Sequence, residues 1–146
     1  MPKKRKERKM KKILVLVLVA VTLFSLVSCK KEEDIDESDL IYTEGCEIGE
    51  GDTTYYLRFK TEKYDITFTI RTNETNLGRA LRETDIVKGD ETEYGLYIKE
   101  VNGVRADYDK DQAYWALYID GEASFLGVDS VDLENGKTYE LVYTVG

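Results

Sequence analysis

The chain has 146 residues with 21 Lys and Arg, 29 Asp and Glu, no His and two Cys, which is enough for one ordinary domain plus an extension and excludes a second full domain. Residues 1–28 carry eight basic residues and one acid, whereas the chain from Cys29 onward carries 13 basic and 28 acidic residues, a net charge of −15. A polyanion of that density repels phosphate groups, which argues against nucleic acid as a partner and against adhesion to anionic lipid through a basic face.

Residues 1–28 have the layout of a secretory signal. A run of Lys and Arg at residues 3–12 is followed by fifteen residues, 13–27, of which two are polar. These correspond to the basic and hydrophobic regions of a signal peptide. A membrane-spanning helix needs about 20 apolar residues, and a charged stretch begins at Lys30. A permanent transmembrane anchor is therefore the less favoured interpretation.

The signal ends in Leu26-Val-Ser-Cys29, which resembles the lipobox of bacterial lipoproteins. The resemblance implies that Cys29 becomes the lipid-modified first residue, and that the mature protein is anchored on the outer face of a bacterial cytoplasmic membrane. One acyl chain gives marginal binding, whereas two hold a protein stably. The alternative is a chance cysteine that follows a conventional signal.

Residues 29–44 are predicted to form a tether. After Cys29 the stretch is rich in Lys, Glu and Asp and has no sustained apolar period. Such a segment cannot bury enough apolar surface to offset its chain entropy, and repulsion between its acids keeps it extended. We therefore place the globular domain at residues 45–146.

The first half of that domain predicts a β-hairpin followed by a helix. Apolar residues alternate with polar ones in two successive runs, which is the period of a half-buried strand. A short helix is predicted over Leu77–Thr84, where Thr75 or Asn76 can cap the free amides. The alternating apolar residues are Tyr55, Leu57 and Phe59 in the first run and Ile66, Phe68 and Ile70 in the second.

The second half predicts strands joined by tight turns. Three dipeptides favour turns with positive φ at both central residues: Asn102-Gly103, Asp120-Gly121 and Asn135-Gly136. The element order indicates an α+β domain of β-grasp type, with a mostly antiparallel sheet and one short helix. The predicted strands run over residues 96–101, 114–119 and 139–145, with short pieces at 104–106, 122–124 and 131.

The chain offers little for catalysis or metal binding. Without His there is no ordinary general base near neutral pH, and no base is evident for a catalytic thiol at Cys46, which we interpret as a small, partly buried residue. The segment that starts at Asp107 begins like an EF-hand loop but has Gln112 and Tyr118 where the loop needs Gly and a bidentate Glu. We predict a solvated loop there without a metal, with a weak surface Ca²⁺ site as the alternative. We expect no catalytic residues and no enzyme activity.

The aromatic residues are the stronger functional signal. All eleven Tyr follow residue 41, and five lie within residues 94–118. Alternation places Trp115, Leu117 and Ile119 on one side of a strand, with Tyr114 and Tyr118 on the other. A core position is the favoured interpretation of Trp115. The Tyr side is either ordinary sheet surface or a platform for a flat or sugar-like ligand.

Several segments match a known family in their order and spacing. They are Asn76-Leu-Gly-Arg-Ala-Leu81, Tyr94-Gly-Leu-Tyr-Ile98, Val101-Asn-Gly103, Ala113-Tyr-Trp-Ala-Leu-Tyr-Ile-Asp-Gly121, Leu126-Gly-Val128 and Tyr139-Glu-Leu-Val-Tyr143. Together they resemble the transcobalamin-like C-terminal domain family of bacterial surface proteins. The likeness runs from about Thr54 to Val145, and the Tyr-Trp-x-x-Tyr-x-x-Gly segment is its most specific piece.

The resemblance implies a binding function. In the vitamin B12 carriers that name the family, the small β domain closes over a corrin that is held by a larger helical barrel. We expect this chain to lack that helical domain, because its length allows one ordinary domain. By resemblance, Tyr97, Trp115, Leu126 and Gly127 contact the ligand. We therefore expect a lipid-anchored, non-enzymatic ligand-binding or adaptor module. The alternatives are a protein that captures cobalamin or another corrinoid, and a structural domain that engages a surface protein or a glycan.

Overall fold

The computed structural model describes residues 40–146. The predicted signal peptide, the predicted lipidation site Cys29 and the first part of the predicted tether lie outside these residues. Within them, no helix combines the length and the apolar character that a membrane crossing requires. The strands are β1 (Glu47–Ile48), β2 (Thr53–Lys60), β3 (Asp65–Thr72), β4 (Val87–Thr92), β5 (Gly95–Val101), β6 (Val104–Arg105), β7 (Ala113–Ile119), β8 (Glu122–Ala123) and β9 (Thr138–Val145). The helices are α1 (Leu77–Arg82) and α2 (Tyr108–Asp111), and a 3₁₀ turn covers Val128–Ser130.

The described strands form two sheets, one with the order β1-β3-β2-β9-β7-β8 and one with the order β4-β5-β6. The predicted hairpin is confirmed, since β2 and β3 pair antiparallel with Leu57 opposite Phe68. The expectation of a β-rich, mostly antiparallel domain is also confirmed. Two pairs are parallel, however: β1 with β3, and β2 with β9 in the middle of the larger sheet. The second of these joins strands that lie far apart in the sequence.

The core lies between the larger sheet and α1. The alternating residues Tyr55, Leu57 and Phe59 of β2 are fully buried, as are Leu77 and Leu81 of the helix. A strand buries every second residue on one face, and a helix buries residues four apart, so both periods point at the same interior. Burial of each such side chain contributes about 1.5–3 kcal/mol relative to exposure.

Helix α1 begins where the sequence predicts it. The Asn76 side chain accepts a hydrogen bond from the Arg79 N–H at 3.1 Å, which caps the first turn. The helix ends at Arg82, two residues before the predicted end at Thr84. The Glu83 and Thr84 N–H groups donate to carbonyls three residues back, and the Thr84 hydroxyl donates to the Leu81 carbonyl at 2.8 Å. These bonds tighten the last turn and end the helix.

Two of the three predicted tight turns are confirmed. Asn102-Gly103 and Asp120-Gly121 have positive φ at both residues and connect β5 to β6 and β7 to β8. The third prediction is wrong, because at Asn135-Gly136 positive φ occurs at the glycine alone. There the Asn135 side chain accepts from the Thr54 N–H at 2.8 Å, and the chain enters β9 alongside β2.

Three elements were not predicted: β1, β4 and α2. In β4 only Val87 is buried, so the strand has no apolar alternation and is held by its pairing with β5. Helix α2 occupies the segment predicted to be a solvated loop. It is capped by the Asp107 side chain and ends at Gln112, which has a φ of +53°. A single turn of this kind has no helical period to recognise. Val131, predicted as a short strand, instead follows the 3₁₀ turn.

The chain contacts the folded part before residue 45. Asn102 is fully buried, and its side-chain amide bonds the backbone of Ile41 and Tyr42. Leu40 and Tyr42 pack against the core. The Tyr42 hydroxyl donates to Asp85 at 2.5 Å, and this hydrogen bond raises the pKa of Tyr42 to about 12. Residues 40–42 are thus attached to the domain, although the sequence places them in the tether.

Candidate binding surface

An open concavity of about 770 Å³ lies at the tip of the β4–β5 hairpin. Tyr94 and Tyr97 line it together with Gly127, which comes from the loop before the 3₁₀ turn. Tyr94 is 87% exposed and Tyr97 is 42% exposed. Phe125 and Leu126, which immediately precede Gly127, are fully exposed and 57% exposed. We name this surface the aromatic edge; its five residues are Tyr94, Tyr97, Phe125, Leu126 and Gly127.

The hairpin turn presents Tyr94 to solvent. The Thr92 hydroxyl donates to the Gly95 carbonyl at 2.8 Å and accepts from the Tyr94 N–H at 3.2 Å. Gly95 has a φ of +101°, which side chains rarely adopt. In β5, Ile98 is buried beside the exposed Tyr97, as strand alternation requires. Tyr97 therefore lies on the outer face of the small sheet, and Tyr94 is exposed in the turn that precedes β5.

The loop of Phe125 and Leu126 is held from two directions. The Ser124 hydroxyl accepts from the Leu126 N–H at 3.1 Å, which closes the turn locally. Beyond the loop, a carboxylate oxygen of Asp129 accepts from the Leu96 N–H at 2.6 Å and so attaches the 3₁₀ turn to β5. The Asn76 side-chain amide donates to the Asp129 carbonyl at 2.9 Å and connects the same turn to α1.

Two glycines allow Asp129 to reach its position. A Cβ on Gly78 would lie 2.2 Å from one carboxylate oxygen of Asp129, and a Cβ on Gly95 would lie 2.3 Å from the other. A side chain at either position would therefore require Asp129 to move. These glycines occur in the two segments Leu-Gly-Arg and Tyr-Gly-Leu that carry the family resemblance, so the structure supplies a physical reason for both.

Arg82 joins three elements beneath the aromatic edge. Its guanidinium contacts Asp129 at 2.8 Å and donates to both oxygens of Glu91 on β4, at 2.7 and 2.8 Å. These hydrogen bonds hold the pKa of Asp129 and of Glu91 below their usual range. Both carboxylates are therefore ionised at neutral pH, and they keep the hairpin and the 3₁₀ turn together.

Trp115 lies elsewhere. It is 8% exposed, and its ring centroid is 5.6 Å from that of Phe59 and 5.5 Å from that of Tyr143. Its indole N–H is buried and has no hydrogen-bond partner within residues 40–146. The core interpretation of Trp115 is confirmed. The structure brings Tyr97 and Gly127 together, with Leu126 next in the chain, and does not place Trp115 in their concavity.

Tyr94 and Phe125, the most exposed aromatic residues between residues 40 and 146, were not among the predicted ligand contacts. Both carry a signal that could have been used. Tyr94 is an aromatic residue directly before a turn glycine, and Phe125 and Leu126 are consecutive apolar residues between Ser124 and Gly127. Apolar residues at turn positions have no strand or helix period that would bury them, so exposure was the simplest prediction.

The carboxylates and Cys46 form no metal centre in the described part of the chain. No three His, Cys, Asp or Glu side chains within residues 40–146 lie close enough to share an ion. Cys46 is 4% exposed, so it is more fully buried than the sequence predicted. Its backbone carbonyl accepts from the Thr69 N–H at 2.9 Å.

Comparisons with known proteins give one matching family model and several similar solved structures. Residues 74–144 match the model of a family described as a domain of unknown function, DUF4430. No curated protein matches the sequence. A candidate metal-binding protein from Ruminococcus gnavus ATCC 29149 is 26% identical, with a TM-score of 0.61 over 65% of this chain and 99% of that one.

Haptocorrin in complex with Cbi matches 64% of this chain at 21% identity with a TM-score of 0.48, and the chain spans a quarter of its length. The Ruminococcus gnavus protein therefore resembles about two thirds of this chain in fold, and the DUF4430 model matches residues 74–144.

Proposed function

We propose that this chain is a non-enzymatic binding module that captures a flat, largely apolar ligand at the aromatic edge. The observation that carries the proposal is the exposure of Tyr94, Tyr97, Phe125 and Leu126 around or beside one concavity. Single exposed apolar residues are ordinary, but clustered ones mark interaction sites. Aromatic faces bind flat ligands by stacking, with centroids about 4.5–7 Å apart.

The aromatic edge is built to be rigid. Arg82 and Asp129 attach the β4–β5 hairpin and the 3₁₀ turn to α1, so the backbone on both sides of the concavity is already fixed when a ligand arrives. A preorganised site loses less conformational entropy on binding and is correspondingly tighter. This supports a ligand-binding role for the surface.

The charges around the concavity favour a neutral or cationic ligand. Glu91 and Glu93 line it, and the domain as a whole is acidic. A corrinoid, the ligand that the transcobalamin-like resemblance implies, has a flat macrocycle that suits an aromatic surface. The same resemblance supports a β-grasp description of the fold, in which the first hairpin is followed by α1 and the last strand returns parallel to β2.

We further propose that the module is a lipoprotein on the outer face of a bacterial cytoplasmic membrane. The support is the signal-like sequence of residues 1–28 and the segment Leu26-Val-Ser-Cys29. Residues 30–39 would then separate the lipid from the attachment at Leu40. A fully extended chain of that length spans at most about 36 Å.

Titration of the purified full chain with cobinamide and with cobalamin in a calorimeter tests the binding proposal. We expect heat at micromolar ligand, and an affinity about tenfold or more lower in Phe125→Ala and in Tyr97→Ala. Tyr56→Ala is the matched control, because Tyr56 is a similarly exposed tyrosine on the larger sheet, outside the concavity. Equal affinities in all three variants would contradict the assignment of the site, and no heat with either compound would contradict a corrinoid ligand.

A further inference from the structure

A second concavity, of about 500 Å³, lies on elements that the aromatic edge does not use. It is formed by residues 61–64 in the β2–β3 turn, by Val104 and Arg105 of β6, and by Tyr143 and Val145 near the end of β9. None of the residues predicted to bind a ligand lines it. We name this surface the amphipathic groove.

The walls of the groove are apolar and rest on packed rings. Tyr64, Val104, Tyr143 and Val145 supply the apolar lining. Behind them the ring of Tyr64 stacks on Phe59 at 6.1 Å, and the ring of Tyr143 contacts Trp115 edge-on at 5.5 Å. Pockets of about 300–1,000 Å³ with such a lining and a few polar groups are the usual sites for small molecules.

The groove carries the opposite charge to the rest of the domain. Lys63 and Arg105 line it together with one acid, Glu62, although the chain from Cys29 onward has a net charge of −15. The Lys63 ammonium lies 4.8 Å from the centre of the Tyr64 ring.

Arg105 is available to a ligand. Between residues 40 and 146 it takes part in none of the ion pairs. Its cross-strand neighbour Glu100 is already paired with Lys88 at 2.9 Å. An exposed guanidinium beside two tyrosines offers both hydrogen-bond donors in a planar fork and an apolar surface next to them.

We infer that the amphipathic groove binds a small carboxylate with an apolar or aromatic tail. The guanidinium of Arg105 receives the carboxylate, since paired N–H donors match its two oxygens. The tail lies on Tyr64 and Tyr143. Charge complementarity selects this class: a neutral ligand would leave Arg105 unused, and a cation would be repelled by both basic side chains.

Trp115 provides the readout, because it is the single tryptophan of the chain and contacts Tyr143 in the groove wall. Titration of the purified full chain with 4-phenylbutyrate is expected to change the Trp115 emission saturably, and equilibrium dialysis measures the same affinity without the reporter. Arg105→Gln should weaken binding about tenfold, because it removes one charge-assisted contact with the carboxylate. Arg105→Lys should recover part of it, and neutral 4-phenylbutyramide should bind about tenfold more weakly than the acid.

Arg71→Gln is the matched control, because it removes an exposed arginine outside the groove and should leave the affinity unchanged. Equal affinities of the acid and the amide, or equal effects of Arg105→Gln and Arg71→Gln, would overturn the inference. So would the absence of binding in dialysis. Tyr97→Ala should not alter 4-phenylbutyrate binding, and a loss in that variant would move the site to the aromatic edge. The result is therefore independent of the proposed corrinoid function.

Discussion

The side-chain amide of Asn102 forms hydrogen bonds with both the carbonyl and the N–H group of Tyr42. Its nitrogen donates to the Tyr42 carbonyl at 2.9 Å, and its oxygen accepts from the Tyr42 N–H at 2.7 Å and from the Ile41 N–H at 3.0 Å. Asn102 also has the positive φ that the β5–β6 turn requires. One residue thus shapes a hairpin and attaches the segment that leads away from the domain.

Replacing Asn102 with Gly separates these two roles. Glycine keeps the turn conformation but removes three partly buried hydrogen bonds, so we expect the free energy of unfolding to fall by about 2–3 kcal/mol in urea titrations. Asp120→Gly at the equivalent turn removes a single exposed hydrogen bond to Thr138 and should cost less than about 1 kcal/mol. Equal costs at the two turns would show that residues 40–42 do not stabilise the domain.

Trp115→Ala should destabilise the fold by about 3–5 kcal/mol, because it opens a cavity between Phe59 and Tyr143. The indole N–H has no partner within the described residues, so the loss comes from packing. Tyr97→Ala should cost less than about 1 kcal/mol, since its ring is on the surface. The urea midpoints of the two variants measure the difference. Small, equal shifts would place Trp115 outside the core.

Gly78→Ala should destabilise the protein, although replacing glycine with alanine in a helix usually stabilises it. Alanine in place of glycine in a helix normally stabilises by about 1 kcal/mol. Here the new Cβ would lie 2.2 Å from the Asp129 carboxylate, so we expect a loss of about 1–3 kcal/mol by thermal or urea unfolding.

Gly127→Ala is the control for Gly78→Ala, because no atom lies within 4 Å of its Cβ position. It should leave stability within about 0.5 kcal/mol of the parent. In an Asp129→Ala background, most of the cost of Gly78→Ala should vanish. An unchanged cost in that background would mean that another neighbour, and not Asp129, requires glycine at position 78.

The Arg82 contacts predict a defined pH dependence. Arg82 lowers the pKa of Asp129 and of Glu91 in the folded protein. Their contribution to stability is therefore complete above the unfolded pKa values of about 4 and is lost as the pH falls through the lower folded values. The difference in unfolding free energy between the parent and Arg82→Met should be constant from pH 7 to 5 and should shrink below pH 4.

Arg79→Met is the control for that experiment. Arg79 lies on the same helix and is paired with Glu74 at the surface, where such pairs contribute about 0–1 kcal/mol. Its effect should be small at every pH. A parent-to-variant difference for Arg82→Met that stays constant down to pH 2 would contradict the role of the two carboxylates.

The lipid anchor predicts that Cys29→Ala releases the protein from the membrane fraction or leaves an unprocessed precursor. The intact mass of the parent should show a diacylglyceryl group on a mature chain that begins at Cys29. A thioether on Cys29 and a disulfide within the chain exclude each other, since the chain has two cysteines, and the mass distinguishes them. Mature, membrane-bound Cys29→Ala protein would contradict the lipoprotein proposal.

The sequence by itself determined the features that depend on neighbouring residues. Alternation in β2 and β3 predicted their hairpin, Asn76 predicted the start of α1, and the dipeptides at Asn102 and Asp120 predicted two turns. Each of these signals acts through the conformational preference of one residue or through a short period. These local signals can therefore be recognised without knowledge of the rest of the chain.

The tertiary structure decided everything that depends on distant partners. Asn135 resembles the other turn residues, yet its side chain bonds Thr54 and the chain runs on parallel to β2. Strand β4, which is almost wholly exposed, exists because β5 pairs with it. The pairing of β2 with β9 joins residues far apart in the sequence, so no local pattern predicts it. Strand β4 pairs with its neighbour in a hairpin, but it has no apolar alternation that would mark it as a strand.

The same reason explains the candidate sites. Tyr97 and Trp115 belong to similar aromatic strands, and one lies on the surface and the other in the core because of what packs over each sheet. Nothing in the sequence distinguishes Asp129 from the other 28 acidic residues, and only the fold places it against Gly78 and Gly95. The composition supplied the aromatic and acidic residues, and long-range packing determined which of them meet.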